Sequence, residues 1–435
     1  MSAASFLRRL IGGGRGGMDG ALQHLFGLCD VLLAVSGEYA STALAREALE
    51  AFKGLDERGR EQFFDVLARD YSPSPEAVGL SAAAYQADPS PDNLARLQHS
   101  VEPLRRELFR RLNMAPGGTA GLIEMRRLLL KDLNDKPQWR VIDADLLHLL
   151  REWFNRGFLG LDRIDWRTSA LVLEKLIQYE AVHAIQGWRD LHRRLEADRR
   201  CFAFFHPQLP DEPIIFIEVA LTRSMSAHIQ PLLDIGAPVT PANVDCAMFY
   251  SITNCQEGLR GISFGNLLIK QVAEELRREF PHMRRFATLS PIPGFRRWLD
   301  RKRAERPKEL APLATLEQPD WHLGEVSDAL QRTLLRLCAY YLLHAKQADE
   351  PLDPVARFHL ANGAALERLN WMGDISQAGM ARSAGLMVNY VYWLNELERN
   401  HERYFREHAI AASPAVEKLA RECLLATPAE KGAAA

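Results

Sequence analysis

Within five residues, Ser290-Pro-Ile-Pro-Gly294, two prolines and a glycine leave the chain very few conformations. Each proline fixes φ and withholds an amide donor, so the segment cannot continue as a helix or as an inner strand. The hydroxyl of Ser290 is therefore held at a bend. Either this is a turn that ends a strand, or it is a rigid mount for a working serine. About two dozen residues earlier lies a second unusual run, Gln256-Glu-Gly-Leu-Arg-Gly-Ile-Ser-Phe-Gly265. It follows the strand-like Cys246-Ala-Met-Phe-Tyr-Ser-Ile252 and precedes Asn266 to Arg278, whose pattern is amphipathic and helical. A strand, a glycine loop and a helix N-terminus can together cradle an anion on free amides. No G-K-[S/T] follows, and the glycine spacing is not G-x-G-x-x-G, which excludes the two familiar nucleotide loops. A tight strand-to-helix connection is the other reading.

Any attraction for an anion must be local, because the 435 residues carry a net charge of only −2. That balance gives no general affinity for nucleic acid or for an acidic membrane. The length allows two or three domains with real cores. Six scattered cysteines, with no CxxC pair and no zinc-like spacing to histidine, predict free thiols, a reducing cytoplasmic compartment and no metal. No apolar run approaches the roughly 20 residues that a bilayer span needs. Residues 1–18 read as a disordered tail; Arg8, Arg9 and Arg15 give it a faint likeness to an organelle presequence, and the C-terminal Lys431-Gly-Ala-Ala-Ala435 carries no peroxisomal address.

The first third predicts helices and no chemistry. From Ser41, a plausible N-cap, to Leu67 apolar residues recur at helical spacing. Leu94, Leu97, Val101, Leu104, Leu108 and Leu112 form one stripe, which Pro103 should kink or restart. Further helices are expected over Thr119 to Lys131 and Asp143 to Trp153. Residues 19–155 thus read as a helical bundle suited to oligomerisation or scaffolding. The pairs Arg105-Arg106, Arg110-Arg111 and Arg126-Arg127 are expected on a solvated face.

Residues 156–435 change character. Cys201 to Phe205 and Ile214 to Leu221 read as buried strands, and Leu171 to Ile185 and Trp188 to Leu195 as helices. The basic run from Arg296 to Lys308 is either a solvated helical face or a partner for phosphates. Leu330, Leu334, Leu337 and Tyr341 mark one side of a helix, and Asp349 to Pro354 reads as a loop. His359, in Phe358-His-Leu-Ala-Asn-Gly363, is either a structural histidine or one that meets Thr288 and Ser290 in the fold.

Taken together, Phe249-Tyr-Ser-Ile252, Gln256-Glu-Gly-Leu-Arg-Gly261, Thr288-Leu-Ser-Pro-Ile-Pro-Gly-Phe295, Phe358-His-Leu-Ala-Asn-Gly363 and Asn370-Trp-Met372 resemble the malonyl-CoA decarboxylase family from about Trp153 to Trp393. The resemblance implies an α+β protein: an all-helical N-terminal bundle, then a mixed α/β catalytic domain like that of the GNAT-type N-acetyltransferases, whose splayed sheet grips pantetheine. By position, it makes Arg260, Gly261, Ile262, Ser263, Phe264, Gly265 and Asn266 the CoA-binding loop, Ser290 and His359 the catalytic pair, and Tyr392 a residue lining the site. Ser263 stands where animal members carry a glutamate, which leaves a carboxylate role in that loop open.

The activity so implied converts malonyl-CoA to acetyl-CoA and CO2 without metal or organic cofactor, in malonate or fatty-acid metabolism. Ser290 would bind the malonyl carboxylate, and His359, with an ordinary pKa of about 6.5, would protonate the enolate. The implied partners are malonyl-CoA and acetyl-CoA, with neither nucleic acid nor membrane, in a homo-oligomer (dimer or tetramer) built on the helical domain. Competing readings are a CoA-dependent acyltransferase, a Ser-His hydrolase, disfavoured because Ser290 lacks a G-x-S-x-G elbow, and a non-catalytic CoA-sensing scaffold.

Overall fold

In the computed structural model, residues 19–35, 37–236, 244–262, 264, 267–318, 320–323 and 326–426 are described. The proposed disordered tail, Ser263, Gly265 and Asn266 lie outside them. Contacts divide the chain into two units, the first comprising residues up to Gly160 together with Phe205–Glu212 and Gln256–Ser263.

Among the described residues, eight α-helices build the first unit: α1 (Gly20–Ala34), α2 (Glu38–Lys53), α3 (Glu57–Asp70), α4 (Pro75–Ala87), α5 (Pro91–Val101), α6 (Leu104–Asn113), α7 (Gly118–Asp132) and α8 (Arg140–Trp153). Their starts follow local chemistry. Asp56, Ser74 and Ser90 each accept an amide of the first turn, and prolines open α4 and α5. The core is an apolar cluster around Phe26, Phe52, Phe63, Phe64 and Trp139, whose rings pack at centroid distances of 5.1 to 6.0 Å.

Three expectations need correction here. Ser41 is not a cap: α2 begins at Glu38, and the Ser41 hydroxyl bonds back to the carbonyl of Gly37. The leucine stripe is not one face. Pro103 separates α5 from α6, and whereas Leu108 and Leu112 are buried, Leu94 and Val101 are exposed. The arginine pairs are not all solvated. Arg105 is buried on Asp145 (2.6 Å) and Ser72, and Arg126 is buried on Asp143 (2.8 Å), because each carboxylate offers a charge-assisted bond inside the unit.

The second unit is built on one eight-stranded mixed sheet. Its strands are β1 (Gly160–Ile164), β2 (Arg199–Phe205), β3 (Pro213–Thr222), β4 (Cys246–Asn254), β5 (Arg285–Thr288), β6 (Ser290–Pro291), β7 (Ala365–Asn370) and β8 (Met387–Val391). Their order is β1-β2-β3-β4-β5-β8-β6, with β7 also paired to β8. Helices α9 (Leu267–Glu279), α10 (Phe295–Glu305), α11 (Asp328–His344) and α12 (Pro354–Ala361) follow in this unit. The long apolar runs in β2 and β3 are buried almost throughout, as strands covered on both faces must be. The basic run lies on and after α10 and is largely ion-paired, Arg296 with Asp300, Arg303 with Glu317 and Lys302 with Glu305, which selects the solvated-face reading. The earlier helix expected to reach Ile185 stops at Tyr179, where Glu180 turns away to accept the amides of Val182 and His183.

One break in the sheet positions everything that follows. β4 and β5 pair in parallel from Cys246↔Arg285 to Phe249↔Thr288, and the Leu289 amide adds one bond to the Phe249 carbonyl. In a parallel ladder the next amide to reach β4 comes two residues later. That residue is Pro291, which has none. The chain instead pairs its far side with β8, through Val388↔Ser290 and Met387↔Pro291, and β4 continues to Asn254 on its β3 side alone. The opening is a V between two strands, the splay that the resemblance implies.

Gly258, in the glycine run, proves to be a packing residue of the first unit. A Cβ there would lie 2.1 Å from the carbonyl oxygen of Ile123 on α7. Gly258→Ala should therefore cost about 1–3 kcal/mol or more in urea unfolding, as overpacking does. Gly79→Ala, in the interior of α4 with open space around it, should raise stability by about 0.5–1 kcal/mol. A neutral Gly258→Ala would show that the α7 contact is not tight.

Candidate active site

Ser290 stands at the apex of the V, and the structure brings His359 and Tyr392 to it. The Ser290 hydroxyl is 3.0 Å from His359 Nε2 and donates to Thr288 Oγ1 at 2.8 Å. Thr288 Oγ1 also accepts the Tyr390 amide at 3.1 Å, and the Thr288 carbonyl accepts Asn389 Nδ2 at 2.7 Å. On the other side of the imidazole, Nδ1 lies 2.6 Å from the Tyr392 hydroxyl. Burial pushes the Tyr392 pKa well up, so the phenol keeps its proton and donates it to Nδ1. The network thereby assigns the Nε2–H tautomer, and the donors run in one direction from Tyr392 through His359 and Ser290 to Thr288.

All four side chains are buried. Burial lowers the pKa of His359 to about 3. The expected value near 6.5 is thus corrected: among the described residues no carboxylate bonds the ring to offset the desolvation of an imidazolium. His359 is a neutral ring, stacked on Tyr390 with centroids 4.6 Å apart.

A cavity of about 220 Å³ fills the V. One wall is β4, with Phe249, Tyr250, Ser251, Ile252 and Asn254; the other holds Leu289, Ser290, Pro291, Val355, Phe358 and His359. Drug-sized ligands occupy roughly 300–1,000 Å³, so this space fits a small acyl group rather than a nucleotide. Within β4 the register with β3 shifts, Glu218↔Ser251 being followed by Val219↔Phe249, which leaves Tyr250 as a bulge on the cavity wall. A larger open groove of about 510 Å³ near His344, Lys346 and Arg421 lacks this hydroxyl–imidazole pair. The chemistry belongs to the smaller space.

Of the expected CoA-binding residues, Arg260, Gly261, Ile262 and Phe264 are described. Arg260 and Gly261 are exposed, Gly261 in the left-handed region at φ 85°, and Ile262 and Phe264 are buried. The buried Arg126 of α7 donates to the carbonyls of Gly258 (2.7 Å) and Arg260 (2.8 Å), fixing the loop where it leaves its 3₁₀ turn. That clasp was invisible in a sequence that showed only an arginine pair. Tyr390 was missed too, although its spacing of two from Tyr392 puts both on one face of a strand. Asp353 was read into a loop, yet an Asp before Pro354 is a helix-start signal, and it caps α12.

The model of the malonyl-CoA decarboxylase C-terminal domain matches residues 157–431, and that of its N-terminal domain matches residues 71–154. The chain belongs to the malonyl-CoA decarboxylase family. A curated relative, the mitochondrial malonyl-CoA decarboxylase of Anser anser anser, is 36% identical over 411 residues, covering 85% of this chain and 82% of its own. The solved malonyl-CoA decarboxylase of Rhodopseudomonas palustris is 48% identical with a TM-score of 0.88, over 91% of this chain and 99% of that one. That of Agrobacterium vitis is 46% identical with a TM-score of 0.86, over the same shares. The helical unit followed by a mixed sheet is thus the malonyl-CoA decarboxylase architecture. Among the described residues, no helix is long and apolar enough to cross a membrane.

The neutral histidine has a consequence for stability. Its folded pKa of about 3 lies below the ordinary 6.5, so between those values the unfolded chain takes up a proton that the folded one refuses. Stability from this group is full above pH 6.5 and falls as the pH drops toward 3, with a limiting slope of about 1.4 kcal/mol per unit. His183, lowered by burial to about 4, adds to the same trend. In urea titrations between pH 7 and 5, His359→Gln should lose about one proton's worth of slope. Equal slopes would mean that the ring protonates within the fold.

Proposed function

We propose that this protein decarboxylates malonyl-CoA to acetyl-CoA and CO2. The observation that carries the reading is the directed chain Tyr392–His359–Ser290–Thr288 on the wall of a small cavity at the sheet opening, in a member of this family. Loss of CO2 leaves an electron pair that the adjacent thioester carbonyl accepts as an enolate, so no metal or organic cofactor is needed. The site has to hold the carboxylate, stabilise the thioester oxygen and deliver one proton to carbon.

Ser290, released from Thr288, donates to the malonyl carboxylate, and His359 Nε2–H donates beside it. Backbone amides of β4 at the Tyr250 bulge stabilise the thioester oxygen, a role supported by the lack of a second neighbouring strand there. A carboxylate arriving next to the buried ring favours its protonated form, and the ring takes one proton from solvent. When that carboxylate leaves as CO2, burial again disfavours the charge and the proton passes to the enolate carbon. The sum is malonyl-CoA and one proton in, acetyl-CoA and CO2 out.

Arg260 to Asn266, followed by α9, would hold the CoA pyrophosphate, a role supported by the loop-then-helix order and the Arg126 clasp. The exposed Leu80, Leu94 and Val101 support a homo-oligomer, dimer or tetramer, built on the helical unit. Buried, scattered cysteines support residence in a reducing cytoplasm, and membership of the family supports a role in malonate or fatty-acid metabolism.

Incubation with malonyl-CoA alone should yield acetyl-CoA and CO2; free CoA with malonate would instead mark a hydrolase, and a requirement for an acceptor amine a transferase. Ser290→Ala and His359→Asn should each reduce CO2 release by about a hundredfold or more while CoA binding holds. Near-normal turnover in both would remove the assignment. With isotope-labelled histidine, a non-reactive analogue bearing the carboxylate should move the His359 ring signals to those of imidazolium, and acetyl-CoA should not. A ring that stays neutral with the analogue would refute the proton step.

A further inference from the structure

Behind the site lies a buried carboxylate that touches neither the serine nor the histidine. Asp353 is 1% exposed, and no cation pairs with it among the described residues. Its Oδ1 accepts the amides of Val355 and Ala356, both at 3.0 Å, and so caps α12, the helix that carries His359. Its Oδ2 accepts the Gly294 amide and the Tyr341 hydroxyl, both at 3.4 Å. Gly294 closes the Pro-Ile-Pro-Gly turn that begins at Ser290. A Cβ on it would lie 2.3 Å from Tyr341 Oη, so the turn, the tyrosine and the carboxylate occupy one fitted corner. Tyr341 is itself fixed by Phe295 and Trp298, with ring centroids 5.7 and 5.1 Å away.

A capping aspartate needs only one oxygen. The second is free to do something else, and here it reaches a different element. We propose that Asp353 is a positioning residue, one oxygen holding the histidine helix and the other the serine turn, so that hydroxyl and imidazole meet at the observed 3.0 Å. The proposal gives a reason for an aspartate rather than another good cap. Asparagine caps a helix about as well, but its amide group would present hydrogens to the Gly294 and Tyr341 donors. Burial raises the pKa of Asp353 above the ordinary carboxylate value, an effect that its bonds from the Ala356, Gly294 and Val355 amides and the Tyr341 hydroxyl oppose.

Where the displacement is about 1 Å, the loss on the order of a hundredfold belongs in turnover rather than binding. That part rests on the decarboxylase reading. Asp353→Asn, which keeps the cap and cuts the turn side, should lower kcat for malonyl-CoA about ten- to a hundredfold with KM within about twofold. Tyr341→Phe, which removes one of the two donors, should lower kcat several-fold. The double variant should be little worse than Asp353→Asn, because both changes cut the same link. A core control, Leu334→Ala, chosen for a comparable loss of stability, should keep kcat when assayed fully folded.

A second readout does not depend on the reaction. In ligand-free protein, the His359 Nε2 proton should exchange with water faster, and its ring signals shift, in Asp353→Asn but not in Leu334→Ala. If wild type releases no CO2 while this ring signature changes as expected, the decarboxylase reading fails and the positioning role stands. If Asp353→Asn keeps both wild-type kcat and the wild-type ring signature, the positioning role is overturned.

Discussion

A missing hydrogen-bond donor organises this protein. The parallel ladder between β4 and β5 advances by alternate residues until the amide it next requires belongs to Pro291. The two strands part there, and β4 is left with a bulged, one-sided edge that faces inward instead of outward. An inward edge would ordinarily be a liability of unpaired amides. Here it walls a cavity of about 220 Å³, in which those amides can meet a ligand carbonyl. Ser290 is the residue before the break, so its position follows from the same event.

The polar groups at the break are arranged for a neutral resting state. Tyr392, His359, Ser290 and Thr288 satisfy one another by hydrogen bonds, with no ion pair. An imidazole buried without a carboxylate cannot hold a charge unaided, and its pKa falls accordingly. Elsewhere in the same unit several buried charges are paired: Arg193 on Asp198 at 2.7 Å, and Arg194 on Glu218 at 2.6 Å and on Asp190 at 3.1 Å. The contrast is physically sensible. Paired ions fix geometry, whereas an unpaired ring can change state when a charged ligand arrives and again when that charge departs.

Much of this was legible in local sequence. The runs in β2, β3 and β4, the turn at Pro291 and Pro293, and the starts of α4, α5 and α9 follow from residue type and spacing. The failures share a cause, since each depended on what lay across the fold. Arg126 looked solvated until the carbonyls of Gly258 and Arg260 came to it, and Gly258 looked like a phosphate glycine until Ile123 lay against it. The leucine stripe ran on through Pro103 over what are two separate helices, and periodicity does not show which residues are covered. Val101 and Leu108 share the stripe, and only Leu108 is buried.

By itself the sequence determined a rigid bend at Ser290, a glycine run between a strand and a helix, and a histidine in a motif shared with one family. Steric limits on proline and glycine act over a few residues and need no tertiary context. Only the fold decided that Ser290 and His359, 69 residues apart, lie 3.0 Å from each other. It also decided that the ring is neutral, because desolvation depends on everything packed around a group and not on its neighbours in the chain.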